Sequence, residues 1–341
     1  MSRLYYVSHP EVAVDPDVPV PRWSLSDVGR QRALAMLEQP WLSRMTAIGS
    51  SPETKALEMA GIVGDHLSLD VEVINDSHEI DRSATGFVSH DRHEALADQL
   101  FAEPAQSAAG WERAIDAQHR AVEVFAPLLQ ADAQTHLVVG HGGIGTLLLC
   151  HLLDIEVDRS HDQPGQGHYW AFDCELQRVV HRWRPIDQIE PTIAVESPDT
   201  PDVIGLLESH LDLMRATSPP EHVHALEVKA LMTPDITFFT ARRNSELLGV
   251  GALRDLGGDR AEIKSMHTAA AARGQGVARF LLEHIIEVAR SRSCTWVGLE
   301  TGTMAEFAAA RRLYESFGFT ECEPFDGYTT NQFSVCMSLD L

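Results

Sequence analysis

Apolar positions recur along the chain with two different periods, and the switches between them mark out its predicted elements. Residues 4–7 are a short apolar run ending in Ser8-His9-Pro10, which reads as a buried strand delivering a histidine to its C-terminal edge. Ser26, with Gly29 and Arg30 behind it, opens a helix to about residue 38, and residues 45–49 form a second strand. Ser50-Ser51-Pro52 then starts a helix carrying the apolar stripe Leu57, Ala60, Val63. Strand patterns recur at 71–74 and 137–139, the latter running into Gly140-His141-Gly142-Gly143, while helix-length patterns cover 90–101, 111–129 and 144–153. Strands alternating with helices predict a largely parallel sheet covered on both faces, an arrangement that places ligands at the C-terminal strand edge.

The pattern changes near residues 183–191, where Pro185 and Pro191 bracket a polar stretch that reads as a short ordered linker. We therefore expect one domain over 1–187 and a second over 188–341. The second opens with a strand at 193–195 and helices at 201–214 and 223–232, split by Ser218-Pro219-Pro220. An antiparallel pair follows at 236–242 and 247–253, turned at Asn244-Ser245, with a third partner at 261–266. The sharpest stretch runs from Glu262 to Arg290: an extended apolar segment, a turn at Arg273-Gly274-Gln275-Gly276, then an amphipathic helix. Val277, Phe280, Leu281, Ile285, Val288 and Ala289 make its apolar face, opposite Arg279, Glu283, Glu287 and Arg290. A helix start built of small residues, with bare N–H groups and a positive dipole end, is an anion site that a pyrophosphate fits.

Composition narrows the function classes. A length of 341 residues favours two cores over one. A formal charge of -23 and a pI near 5.0 argue against a nucleic-acid or anionic-membrane surface. The five cysteines are scattered without any C-x-x-C pair, so neither a disulfide framework nor a zinc site is indicated and no metal is expected. They read as buried thiols in a reducing cytosol. No secretory segment opens the chain and no run approaches 18 apolar residues, so the expected location is cytoplasmic.

The pattern Arg-x-x-Gly-x-Ala from Arg273 to Ala278 resembles the acetyl-CoA motif of the GNAT superfamily of N-acetyltransferases. The resemblance continues through the strand Leu299-Glu300-Thr301-Gly302 and the helix and turn over 308–319, which ends Leu313-Tyr314-Glu315-Ser316-Phe317-Gly318-Phe319. It implies an α+β domain with a mixed sheet and acetyl-CoA as co-substrate. The backbone of Met266, His267 and Thr268 would bind the thioester, and Arg273, Gly274, Gln275, Gly276, Val277 and Ala278 the pyrophosphate, helped by Arg279. Tyr314 would protonate the departing thiolate and Glu262 would serve as base toward the amine, a surface ion pair with Lys264 being the alternative. Arg215 and His222 lie where the family builds its acceptor wall. Together with Phe325 and Tyr328 they suggest a small, carboxylate-bearing amine.

In the first half, His9, the helix start at Ser26, Ser51-Pro52-x-x-Lys55-Ala56 and Gly140-His141-Gly142 resemble, in order, the landmarks of the histidine phosphatase (phosphoglycerate mutase-like) superfamily. This implies a three-layer α/β/α domain in which His9 takes a phosphoryl group and His141 helps hold its oxygens. Two arginines expected beside it are replaced, by Ser8 and Lys55. Arg22, Arg30 and Arg82 are the cations that could be recruited instead, and Glu79 or Asp81 the proton donor. Hydrolysis is therefore expected to be slow or absent, with phosphate or vanadate still bound by Ser8, Lys55 and the histidines. The expected function is an N-acetyltransferase of a small-molecule amine fused to this phosphatase-like domain. An active bifunctional enzyme and a ligand-sensing N-terminal module are the alternatives, and a homodimer is left open as its assembly.

Overall fold

In the computed structural model the described residues are 2–130, 134–217, 228–329 and 331–341. They form two compact units, Met1–Ile189 and Glu190–Leu341.

The first unit is built on β1 (Arg3–Ser8), α1 (Asp27–Met36), β2 (Ala47–Ser50), α2 (Thr54–Leu67), β3 (Val71–Val73), α3 (His90–Ala102), α4 (Ala114–Phe125), β4 (Thr135–Gly140), α5 (Gly142–Leu152), β5 (His168–Asp173) and β6 (Arg178–Pro185). The sheet order is β3-β2-β4-β1-β5-β6. The first four strands run parallel, and β5 and β6 are antiparallel to their neighbours. Period-two alternation on β1 sends Leu4 and Tyr6 into the core beneath α3, α4 and α5, and Tyr5 and Val7 into the core beneath α1 and α2. Both faces are thus covered, as a near-continuous apolar strand requires. The hairpin β5–β6 was not expected from the sequence, although the aromatic run Tyr169-Trp170-Ala171-Phe172 carries the strand signal. The helix expected over 111–129 is shorter: Trp111 is a separate buried anchor ahead of α4, and residues 126–129 tighten into a 3₁₀ turn around Pro127.

The second unit contains β7 (Thr192–Val195), α6 (Pro201–Thr217), β8 (Ile236–Arg243), β9 (Glu246–Gly257), β10 (Arg260–Thr268), α7 (Val277–Ser291), β11 (Trp296–Gly302), α8 (Ala308–Glu315), β12 (Thr320–Glu321) and β13 (Ser334–Asp340). Its sheet order is β12-β13-β11-β10-β9-β8-β7, antiparallel except for the β10–β11 pair. Ala261 and Ile263 of β10 and Val297 and Leu299 of β11 pack in the core with α7. Val250 and Ala252 of β9 face Val203 and Leu207 of α6 on the opposite side. Of the helix expected over 223–232, residues 228–232 form a 3₁₀ turn and the rest lies outside the described residues.

Candidate functional site

In the second unit, β10 and β11 pair in parallel only from Arg260↔Trp296 to Ile263↔Leu299. Beyond that point β11 stays with β13, through Glu300↔Cys336 to Gly302↔Ser334, and β10 stays with β9. The strands therefore part, and along Lys264–Thr268 the side of β10 toward β11 has no strand partner among the described residues. A bulge between Lys264 and His267 marks the departure, with Ser265 at φ 52°. The chain then enters the exposed turn 273–276. Gly274 and Gly276 sit at φ 77° and 79°, a region open to glycine at little cost, and Gly276 is the N-cap of α7. Among the described residues nothing beyond the chain neighbours lies within 4 Å of where a Cβ would stand on either. The first N–H groups of α7 thus point outward at the end of the parted strands. Arg273 is exposed there. Arg279 instead donates to Ser316 Oγ at 2.9 Å and lies 4.8 Å over the Phe317 ring.

Glu262 is 1% exposed and its Oε1 accepts from Lys264 Nζ at 2.9 Å and Tyr328 OH at 2.6 Å. Its Oε2 has no hydrogen bond among the described residues, and Arg254 Nη1 stands 3.7 Å away. The ion pair with Lys264 is therefore present, but buried. Burial first, then the Glu262 charge and its hydrogen bond, hold the Tyr328 phenol well above the ordinary range. Tyr314 is buried in the α7–α8 core against Phe319, and burial pushes its phenol up to about 12. No hydrogen-bond partner of its hydroxyl is found among the described residues. The Arg215 side chain and all of His222 lie outside the described residues.

In the first unit, β1 and β4 run side by side and deliver His9 and His141 to one edge, with Ser8 opposite Gly140. The imidazole centroids are 5.2 Å apart and tilted by 74°. His9 Nδ1 faces Pro10 O at 2.8 Å; a carbonyl only accepts, so Nδ1 carries the hydrogen and Nε2 keeps the lone pair. His141 is fully buried, and its backbone is clamped by Tyr6 OH, which accepts from His141 N at 3.0 Å and donates to His141 O at 3.1 Å. Burial, then His141 and Lys55, lower the His9 pKa to about 3. Burial likewise lowers that of His141 against the pull of Glu53 and Glu79.

The expected anion-holding groups are engaged by the chain itself. Lys55, buried, is ion-paired to Glu53 and donates to Val20 O at 3.0 Å. Glu53 Oε1 stands 3.5 Å from His141 Nε2 and accepts the Glu79 N–H at 3.0 Å, while Ser51 Oγ lies 2.7 Å from the same His141 nitrogen. Burial alone would raise the Glu53 pKa, but His141, Lys55 and that N–H bring it down to about 2. Glu79 caps α5, accepting from Gly143 N at 3.1 Å and Ile144 N at 2.9 Å. The Ser8 hydroxyl is bonded to Gln163 and accepts the His168 N–H at 3.0 Å. Arg30 pairs with Glu58 at 2.8 Å, Arg82 is held by His93 and the Trp111 ring, and Arg22 is exposed. Asp81 is exposed and caps Ser83. Glu53 and Gln163 were not singled out from sequence: Glu53 hides inside the quoted serine-proline-lysine motif, and nothing local marks Gln163.

Residues 204–319 match the model of the Acetyltransferase (GNAT) family, and residues 15–170 that of the Histidine phosphatase superfamily (branch 1). The chain is 48% identical over 139 residues to the Uncharacterized N-acetyltransferase YsnE of Bacillus subtilis (strain 168), covering 41% of this chain and 92% of that protein. It is 41% identical over 150 residues to the Uncharacterized N-acetyltransferase YedL of Escherichia coli (strain K12), covering 44% and 94%. Among solved structures, mycobacterial glucosyl-3-phosphoglycerate phosphatase aligns with a TM-score of 0.43 at 21% identity, covering 54% of this chain and 96% of that one. With its C-terminal half the chain belongs to the GNAT acetyltransferase family, and ahead of that half residues 15–170 match the histidine phosphatase superfamily model.

Proposed function

We propose that the C-terminal unit transfers an acetyl group from acetyl-CoA to the primary amine of a small molecule, with an amino acid or other carboxylate-bearing amine as the favoured class. Membership of the GNAT family brings an acyl-CoA as co-substrate. The observation that carries the reading is the parting of β10 from β11 directly ahead of the Arg273–Gly276 turn. In it, unpaired backbone groups along Lys264–Thr268, with Met266, His267 and Thr268 nearest the turn, receive the pantetheine arm and thioester. Arg273, Gly274, Gln275, Gly276 and the first N–H groups of α7, at Val277 and Ala278, receive the pyrophosphate. Tyr314 protonates the thiolate, a role its burial supports by keeping the phenol protonated at neutral pH. Glu262 has Oε1 committed to Lys264 and Tyr328, so only Oε2 is left to act toward the acceptor. The deciding experiment incubates the full chain with acetyl-CoA and pooled cell amines and reads acetylated products by mass spectrometry. A product set identical to that of a boiled control would overturn the reading.

For the N-terminal unit we infer neither phosphoryl transfer nor tight phosphate binding, which departs from the retained phosphate seat expected of Ser8 and Lys55. The donors such a ligand needs are satisfied by Glu53, Glu79 and Gln163. A phosphate dianion would have to displace a buried carboxylate from a buried ammonium, and leaving either charge alone costs about 3–5 kcal/mol. The wild-type chain should therefore show no His9-dependent hydrolysis across a panel of phosphomonoesters. Glu53→Gln, which frees Lys55, should bind vanadate at least about tenfold more tightly, seen as vanadate-dependent thermal stabilisation. Fast hydrolysis lost in His9→Ala would instead establish the bifunctional enzyme.

A further inference from the structure

Val203 and Leu207, four positions apart, build the buried face of α6, and the next member of that stripe is His210. A helix packed on a sheet ordinarily places an apolar residue there. The His210 ring instead has its Nδ1 buried with no hydrogen-bond partner among the described residues. The ring lies 4.8 Å from that of His267, tilted by 44°. His267 belongs to the part of β10 that has left β11. Its β9 partner Val250 packs with Val203 and Leu207, as does Ala252, the β9 partner of Lys264. Residues directly opposed on antiparallel strands share a face, so the two imidazoles flank the opening on the same side of the sheet as Lys264.

We propose that His210 and His267 form the site that receives the acceptor's amine: an N–H of the amine donates to His210 Nδ1, and the imidazole pair takes the proton the amine must lose. The proposal rests on the acetyl-transfer reading. A buried ring nitrogen without a partner is destabilising, and it is retained where a ligand supplies the missing group. Both rings are uncharged at neutral pH, since burial holds His210 at about 4, and burial, then His210 and Arg273, hold His267 at about 4. They can therefore accept a hydrogen bond where a charged imidazole could not. The ammonium passes one proton through the pair to water, and its freed lone pair attacks the thioester carbon, forming the C–N bond. The C–S bond then breaks, the thiolate is protonated as it leaves, and the nitrogen, by then strongly acidic, sheds its second proton to water. Glu262, tied through Oε1 to Lys264 and Tyr328 on the same face, keeps only Oε2 toward the acceptor and is not the group that takes its proton.

The test compares two minimal acceptors at neutral pH with the full chain: methylamine, almost wholly protonated, and hydroxylamine, mostly uncharged. CoA thiol release above the uncatalysed rate is followed for the wild type, for His210→Phe, which keeps the stripe apolar, and for His210→Gln, which keeps it polar. In both variants transfer to methylamine should fall at least about tenfold while transfer to hydroxylamine falls less than about twofold, with KM for acetyl-CoA unchanged. Equal losses with both amines, or no loss with either, would overturn the proposal. A wild-type chain inert toward both amines would overturn the proposal, and one that also acetylates nothing among the pooled cell amines would remove the acetyl-transfer reading itself.

Discussion

Gly276 holds the turn before α7 at φ 79° with nothing within 4 Å of where a Cβ would stand. The obstacle to a side chain there is thus backbone conformation and the approach of a ligand, with no protein neighbour involved. Gly276→Val should leave the core intact and weaken CoA binding by more than about tenfold, on the order of a lost set of charged hydrogen bonds. Isothermal calorimetry giving an unchanged Kd would show that the turn does not carry the pyrophosphate. Tyr314 belongs to the same scale. Tyr314→Phe removes one oxygen from a buried ring, so turnover should fall with KM for acetyl-CoA nearly unchanged, as for a group acting in the transition state. Steady-state kinetics with unaltered turnover would make Tyr314 a packing residue.

Strands and helices were legible wherever burial on both faces or one clean amphipathic stripe forced the pattern. β1 and β4 read as apolar runs ending in His9 and His141, and α7 read from Val277 onward, because those elements have no freedom to be patterned otherwise. The β5–β6 hairpin escaped because β6 alternates among half-buried and exposed positions that include Arg178, Arg182 and Arg184. Site chemistry was legible only where it lies in one stretch. His9, His141, Lys55 and the 273–276 turn are local signals, whereas the ties from Glu53 to His141, from Ser8 to Gln163 and from His210 to His267 span tens of residues or more. A sequence shows that Lys55 can hold an anion; that it already holds Glu53 is a fact of packing. The vanadate experiment on Glu53→Gln tests that difference at the level of the β2–α2 junction.

At the scale of the molecule, the buried histidines couple stability to acidity. His210 has a pKa near 4 in the folded chain against an ordinary 6.5. Its contribution is fully present above pH 6.5 and is lost as pH falls toward 4, since the unfolded chain binds the proton first. At about 1.4 kcal/mol per pH unit, His210 alone would account for on the order of 3 kcal/mol. His267, and in the first unit His9 and His141, act in the same direction. Urea midpoints measured from pH 7 to 4 should fall for the wild type and fall less steeply for His210→Phe; parallel slopes would mean that His210 is solvated. The parted strands have their own consequence. A sheet interrupted between β10 and β11 is missing a piece, and the extended arm of a bound acyl-CoA is of the right kind to supply it, hydrogen bond by hydrogen bond. The co-substrate would then act as a transient strand of the fold, so those amide protons of Lys264 to Thr268 that face the gap, away from β9, would exchange slowly only in its presence, and the second unit would be most fully folded while it is at work.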